Sequence, residues 1–119
     1  MNLEHVLETS ARFAGLPASD LKTLGGAMSM QRYEDGDPLV TQGEKPDGIY
    51  LIVDGRCEVW ARPNRDQRVR HLSDLGPGDL VGLMALVQGG RRAATVTAVG
   101  PVKAAFLPAP AFTMLYESD

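Results

Sequence analysis

Cysteine, histidine and positive charge are all scarce in this chain, and each shortage closes off a class of function. Its one cysteine, Cys57, can form no intramolecular disulfide and cannot hold an iron–sulfur cluster, which takes several. A lone cysteine fits a reducing cytoplasm and is expected to serve as a small core residue. The two histidines, His5 and His71, lie far apart with no ligand spacing, so no metal site is expected. Lysine and arginine together number 12 against 15 acidic residues, and a net charge of -3 argues against direct nucleic-acid binding by this chain. No apolar run approaches the roughly 20 residues of a membrane-spanning helix. The opening Met1-Asn2-Leu3-Glu4-His5 lacks the pattern of a secretory leader, so a cytoplasmic location is expected. No serine or cysteine has an evident partner base and the carboxylates are scattered through turns, so the chain is not expected to be an enzyme. There is no internal repeat and no low-complexity segment.

What is present suffices for one domain. A chain of 119 residues with 44% hydrophobic content can bury a core without covalent staples. Apolar residues about one helical turn apart predict a first helix from Leu3 to Phe13, interrupted by Gly15-Leu16-Pro17. Pro17 suits the first turn of a second helix, on which Leu21, Leu24 and Met28 share a face and which Gly25-Gly26 ends. From Met30 the pattern changes to short runs of Val, Ile, Leu and aromatics between Gly, Pro and Asp clusters, the mark of a sandwich or barrel. Ile49-Tyr50-Leu51-Ile52-Val53 is apolar on both faces and predicts a central strand. Asp54-Gly55 then predicts a hairpin into Cys57-Glu58-Val59-Trp60. Arg62, Arg65, Arg68 and Arg70 are expected on a solvated hairpin end. Two late strands are predicted, Ala94 to Val99 and Val102 to Leu107, split by Gly100-Pro101. Pro110 to Tyr116 begins a further helix.

The segment that carries chemistry runs from Gly82 to Val96: Gly82-Leu83-Met84-Ala85-Leu86-Val87-Gln88-Gly89-Gly90-Arg91-Arg92-Ala93-Ala94-Thr95-Val96. Gly82 allows an unusual backbone turn, and Leu83 to Leu86 can wind a single helical turn whose free amides favour an anion. Gly89-Gly90 returns the chain, and an arginine enters the next strand. Arginine can meet a phosphate with two parallel hydrogen bonds, which lysine cannot.

This segment resembles, without a gap, the phosphate-binding cassette of the cyclic-nucleotide-binding domain family, the domain of catabolite activators and protein kinase A regulatory subunits. That cassette runs roughly Gly-Glu-Leu-Ala-Leu, a linker, then Pro-Arg-Ala-Ala-Thr-Val. Phe13-Ala14-Gly15-Leu16-Pro17, Tyr33 with Gly36-Asp37, Gln42-Gly43-Glu44 and Tyr50-Leu51-Ile52-Val53-Asp54-Gly55 are similar to the same family. The resemblance implies an α+β, mainly β fold: a β-roll of about eight strands with N-terminal helices and a short C-terminal helix. The expected divisions are a helical lead-in at 1–28, the roll at 29–107 with its cassette at 82–96, and the start of a hinge helix at 108–119.

By the same resemblance the domain senses cyclic AMP, cyclic GMP or a related small anion and has no tightly held cofactor. Arg92 takes the place of the arginine that pairs with the cyclic phosphate. Gly82, Ala85 and Ala93 fall beside the ligand, with the Ala85 amide toward phosphate. Leu86 and Phe112 match the pair that couples the cassette to the hinge helix, and so to a regulated partner domain or a second copy in a homodimer. Ala93 lacks the hydroxyl common at this position in members selective for cyclic GMP, which tilts the choice toward cyclic AMP.

Two residues depart from the family pattern. Leu83 stands where a glutamate accepts a hydrogen bond from the ribose 2′-hydroxyl. A hydrogen bond to a charged group contributes about 1.5–3 kcal/mol, so its loss weakens binding about 10- to 150-fold. Arg91 replaces proline and adds charge beside the site. The sequence ends at Asp119, short of the longer helix that covers the base in relatives, and no helix-turn-helix follows; this chain alone is not expected to be a complete transcription factor. A second expectation therefore stands beside the first: a degenerate cassette that binds no nucleotide, on a module for protein interaction or dimerisation.

Overall fold

The computed structural model describes residues 3–9, 17–64 and 67–117. Helix α1 (Leu3–Thr9) and helix α2 (Ala18–Gly26) lead into strands β1 (Ser29–Tyr33), β2 (Pro38–Val40) and β3 (Gly48–Ala61). Strands β4 (Arg70–Leu75) and β5 (Leu80–Val81) precede helix α3 (Leu83–Gln88), strand β6 (Thr95–Pro108) and helix α4 (Ala109–Glu117). Helix α1 covers the first part of the run predicted from Leu3 to Phe13; residues 10–16, with the rest of that run and Phe13 to Leu16 of the family-like text, lie outside the described residues. So does Arg65, whereas Arg62, Arg68 and Arg70 are exposed as expected.

Two 14-residue strands organise the molecule. β3 and β6 pair antiparallel from Gly48↔Pro108 at one end to Trp60↔Thr95 at the other. Each then takes two shorter neighbours. β6 holds β1 along Val102–Phe106 and β2 at Val96–Thr97, while β3 holds β5 at Tyr50–Leu51 and β4 along Cys57–Ala61. The sheet therefore has six strands. The expected count of about eight is recovered when each long strand is taken as two segments with different neighbours.

Two sequence-based expectations are corrected by this arrangement. Asp54-Gly55 does not close a hairpin, and Gly100-Pro101 does not divide two strands. Both are bends inside continuous strands: Gly55 has φ 95° and Gly100 φ 72°, and the β3–β6 register slips between Ile52 and Arg56. The same left-handed glycine conformation serves a tight turn or a bulge, and here tertiary pairing selects the bulge. Gly55 is required on spatial grounds as well. A Cβ there would run into the Pro101 carbonyl and lie 2.9 Å from the Val102 side chain.

The bulge also sets which residues face inward. Before it, Tyr50 and Ile52 point into the roll with Leu39, Val81, Val102 and Ala104, while Ile49, Leu51 and Val53 point outward. After it, the odd positions Cys57 and Val59 take the inward face. Strand side chains alternate with period two, so the inserted residue inverts the phase and keeps β3 apolar toward the interior. The outward face of Ile49–Val53 is covered by Val6, Leu7, Leu24 and Phe112 from the helices. That cover explains why this strand reads as apolar on both faces. Cys57 is fully buried, as expected of a core residue, and burial pushes its thiol up to about 11.

Candidate functional site

Helix α3 begins and ends on left-handed glycines, Gly82 (φ 86°) and Gly89 (φ 75°), so one and a half turns of helix are set between two sharp changes of direction. The amides of a helix's first turn have no acceptor within the helix, and here they belong to Leu83, Met84 and Ala85. Beside them lies Arg92, which precedes β6 by three residues and does not belong to it, contrary to expectation.

Arg92 is the buried charge of the described structure, 4% exposed. Its Nη1 donates to the Gly82 carbonyl at 2.9 Å, and its Nη2 to the Gly48 carbonyl at 2.8 Å and to Asp47 Oδ1 at 3.1 Å. Gly48 stands opposite Pro108 in the β3–β6 register. Ala109 N–H donates to the Asp47 carbonyl at 2.9 Å, so Gly48 and Pro108 form one of the pairs an antiparallel ladder leaves unbonded, and the Gly48 carbonyl turns away from β6 to the guanidinium. Gly82 is glycine because the guanidinium lies against it. A Cβ on it would collide with Nη1 and lie 2.8 Å from Cζ of Arg92. Two backbone bonds brace the arginine from the far side, Arg92 N–H to the Glu44 carbonyl at 2.8 Å and Gly43 N–H to the Arg92 carbonyl at 2.9 Å. Arg91 Nη1 donates to the Gly43 carbonyl at 2.9 Å, so the residue in place of proline ties down the same loop.

These elements form one wall of a cavity of about 290 Å³. Gly82, Leu83, Met84, Ala85, Arg92 and Ala93 make that wall, and aliphatic residues of the roll, Val40, Val59 and Val96 among them, make the other. The structure thus brings together all five cassette positions singled out in the sequence as ligand-facing. Next to them, burial and then the Asp47 carboxylate hold the Tyr50 phenol above its ordinary value, with Arg92 pulling the other way.

A family model described as the cyclic nucleotide-binding domain matches residues 30–119. The chain belongs to this family. Among relatives of this cyclic nucleotide-binding domain, the cAMP-dependent protein kinase type II regulatory subunit of Drosophila melanogaster is 34% identical over 113 residues, 94% of this chain and 29% of the relative. The regulatory domain of Toxoplasma gondii PKA, co-crystallised with cAMP, superposes with a TM-score of 0.86 at 30% identity, over 95% of this chain and 42% of that one. A triply substituted regulatory subunit of a cAMP-independent protein kinase A from Trypanosoma brucei, bound to cAMP in its A site, gives 0.88 at 27% identity, over 95% and 41%. The domain therefore spans less than half the length of each of these relatives.

Leu86 and Phe112, the two positions expected to couple cassette and hinge helix, lie on one apolar cluster. Phe112 is 7% exposed within the cluster formed with Ile49, Leu51 and Leu107, and Leu86 packs against that cluster from α3. Leu83 packs against it too, besides lining the cavity. Leucine here fills space between the cassette and the helical layer.

Sequence reasoning missed Asp47 and Gly48 as partners of Arg92, since they lie 45 and 44 positions away. It gave Gln42 no role. The Gln42 side chain accepts from Arg62 N–H at 2.9 Å and donates to the Arg62 carbonyl at 2.8 Å, while its own N–H donates to Thr95 Oγ1 at 2.9 Å. The signal was the Gln42-Gly43-Glu44 text, whose loop proves to carry the cassette. A third arrangement lay across strands and so escaped spacing rules. Glu58, His71 and Asp74 hold ligand-type atoms within 4.8 Å of one another on the surface, with His71 stacked on Trp60 at 4.9 Å. His71 Nε2 lies 2.8 Å from Asp74 Oδ1, so this cluster is held together by its own hydrogen bond.

Proposed function

We propose that this domain is a regulatory sensor, without catalytic activity of its own, that holds a cyclic nucleotide in the cavity beside Arg92. The observation that carries the reading is the buried guanidinium at the edge of an otherwise aliphatic cavity. A guanidinium offers five N–H donors, and three are engaged by Gly82, Gly48 and Asp47. The remainder, with the Ala85 amide, receive the cyclic phosphate, and the aliphatic wall receives the base. Such a pocket sits at the small end of the range for bound organic ligands, about 300–1,000 Å³. Further support comes from the trypanosome variant. Its three substitutions introduce alanine, arginine and alanine, the second and third lying seven and eight positions after the first. Ala85, Arg92 and Ala93 stand at that same spacing here.

Occupancy acts through Leu86 and the cluster that seats Phe112. A ligand that favours one position of α4 shifts the population toward it and so reaches a partner domain. The setting is the cytoplasm, no resident cofactor is needed, and the regulated partner is another domain or a second copy. The competing reading, a module that binds no nucleotide, draws on Leu83, which offers no acceptor to a ribose.

Calorimetric titration with cyclic AMP and cyclic GMP decides between them. Binding at micromolar concentration that disappears in a folded Arg92→Ala variant supports the sensor, with cyclic AMP favoured. No heat at millimolar nucleotide supports the interaction module. Binding that leaves the α4 resonances unmoved in NMR overturns the relay.

A further inference from the structure

The cavity is chemically one-sided. Among the described residues that line it, Arg92 alone bears a nitrogen or oxygen on its side chain. Two carboxylates outside the lining each commit an oxygen to another hydrogen bond. Asp79 Oδ2 accepts from Gly76 N–H at 2.8 Å and closes its own turn, and Asp47 Oδ1 holds Arg92 Nη2 at 3.1 Å. The Gly82 carbonyl takes Arg92 Nη1 at 2.9 Å. Leu83, the first residue of α3, is packed against the Phe112 cluster and presents only methyl groups to the cavity.

A 3′,5′-cyclic nucleotide has a single free sugar hydroxyl, at the 2′ carbon. In this cavity its proton meets no side-chain acceptor, while the hydrogen bonds it made in water are lost. Burying a hydroxyl without a partner is unfavourable, and a site with no group waiting for a hydroxyl gains no discrimination in its favour. We propose that the pocket reads its ligand as a cyclic phosphate on an apolar body and does not read the 2′-hydroxyl. The ligand class it accepts therefore includes 2′-deoxy and 2′-O-alkyl cyclic nucleotides. This rests on the cyclic-nucleotide reading above and adds which part of the nucleotide goes unrecognised.

The test is a pair of calorimetric titrations of the full chain, one with cyclic AMP and one with 2′-deoxy cyclic AMP. The deoxy form is expected to bind between equally well and about 30-fold more tightly, the latter being the full cost of a stranded hydroxyl. A deoxy form more than about threefold weaker overturns the proposal while leaving the cyclic-nucleotide reading intact. If neither ligand binds at millimolar concentration, that reading fails and this one with it. Leu83→Glu supplies an acceptor and is expected to shift the ratio toward the ribose form by about tenfold or more; an unchanged ratio in a folded variant counts against the assignment of Leu83. Should the buried carboxylate prevent folding, Leu83→Gln carries the same comparison, and the ratio in the unaltered chain decides by itself.

Discussion

Replacing Arg92 with alanine should cost stability as well as ligand. The side chain is buried and bridges three acceptors on two segments, residues 47–48 and Gly82. Stranding the buried Gly48 carbonyl, which faces away from β6, costs about 1–3 kcal/mol, and losing the second carbonyl bond adds about 1. The Asp47 pair contributes little, because that carboxylate is 68% exposed. The sum is about 2–4 kcal/mol, a large part of the 5–15 kcal/mol that holds a typical domain folded. Urea unfolding followed by Trp60, the single tryptophan, measures it. Arg92→Lys should lose about half as much, since one ammonium cannot span all three acceptors. A change below about 0.5 kcal/mol in Arg92→Ala would refute the bracing role. The same experiment fixes the urea-free conditions in which a binding comparison is meaningful.

Gly82→Ala should be worse than its size suggests: a left-handed non-glycine residue costs about 1–2 kcal/mol, and its methyl displaces the guanidinium. The expected result is a fall of about 2–4 kcal/mol with at least tenfold weaker nucleotide binding, and a fully active, equally stable variant contradicts the geometry. Gln42→Ala removes two hydrogen bonds to Arg62 and should lower stability by about 1–2 kcal/mol; wild-type urea midpoints count against that clasp. Burial pushes Cys57 up to about 11 and Tyr33 up to about 12. Both are neutral when protonated, so the folded state holds these protons more tightly than the unfolded chain. Stability should be complete below about pH 9, fall as pH rises through 11 to 12, and fall less steeply in Cys57→Ala; a urea midpoint constant from pH 8 to 11 speaks against this linkage.

The fold and the gathering of the cassette residues on one cavity wall were legible because the cassette is local. Gly82, Leu83, Ala85, Arg92 and Ala93 lie within twelve residues of one another, and a short helix between glycines can bring them together with no knowledge of the rest. The errors fell where one local signal serves two conformations. Asp54-Gly55 supports a tight turn or a bulge equally, and the choice depends on β6 lying alongside with Pro101 against Gly55. The sequence offered Arg92 as a candidate anion contact and gave no sign of its part as a strut. That role depends on Asp47 and Gly48, which reach the guanidinium from 45 and 44 positions away. His71 was legible only as an isolated histidine, since Glu58 reaches it across the β3–β4 ladder.

Strand β3 sends Ile49, Leu51 and Val53 to the helical side and Tyr50 and Ile52 into the roll. One backbone is thus a party wall between two apolar rooms. Neither room can be emptied while the other stands, because opening either one drags the shared strand out of register with β6. The domain should therefore melt as a single unit, and the amides of β3 and the facing half of β6 should exchange with solvent only through that global event. Helix α4 gives Phe112 to the outer room and no described residue to the inner one, so a shift of it leaves the inner room packed, and that is what a sensor needs of its moving part.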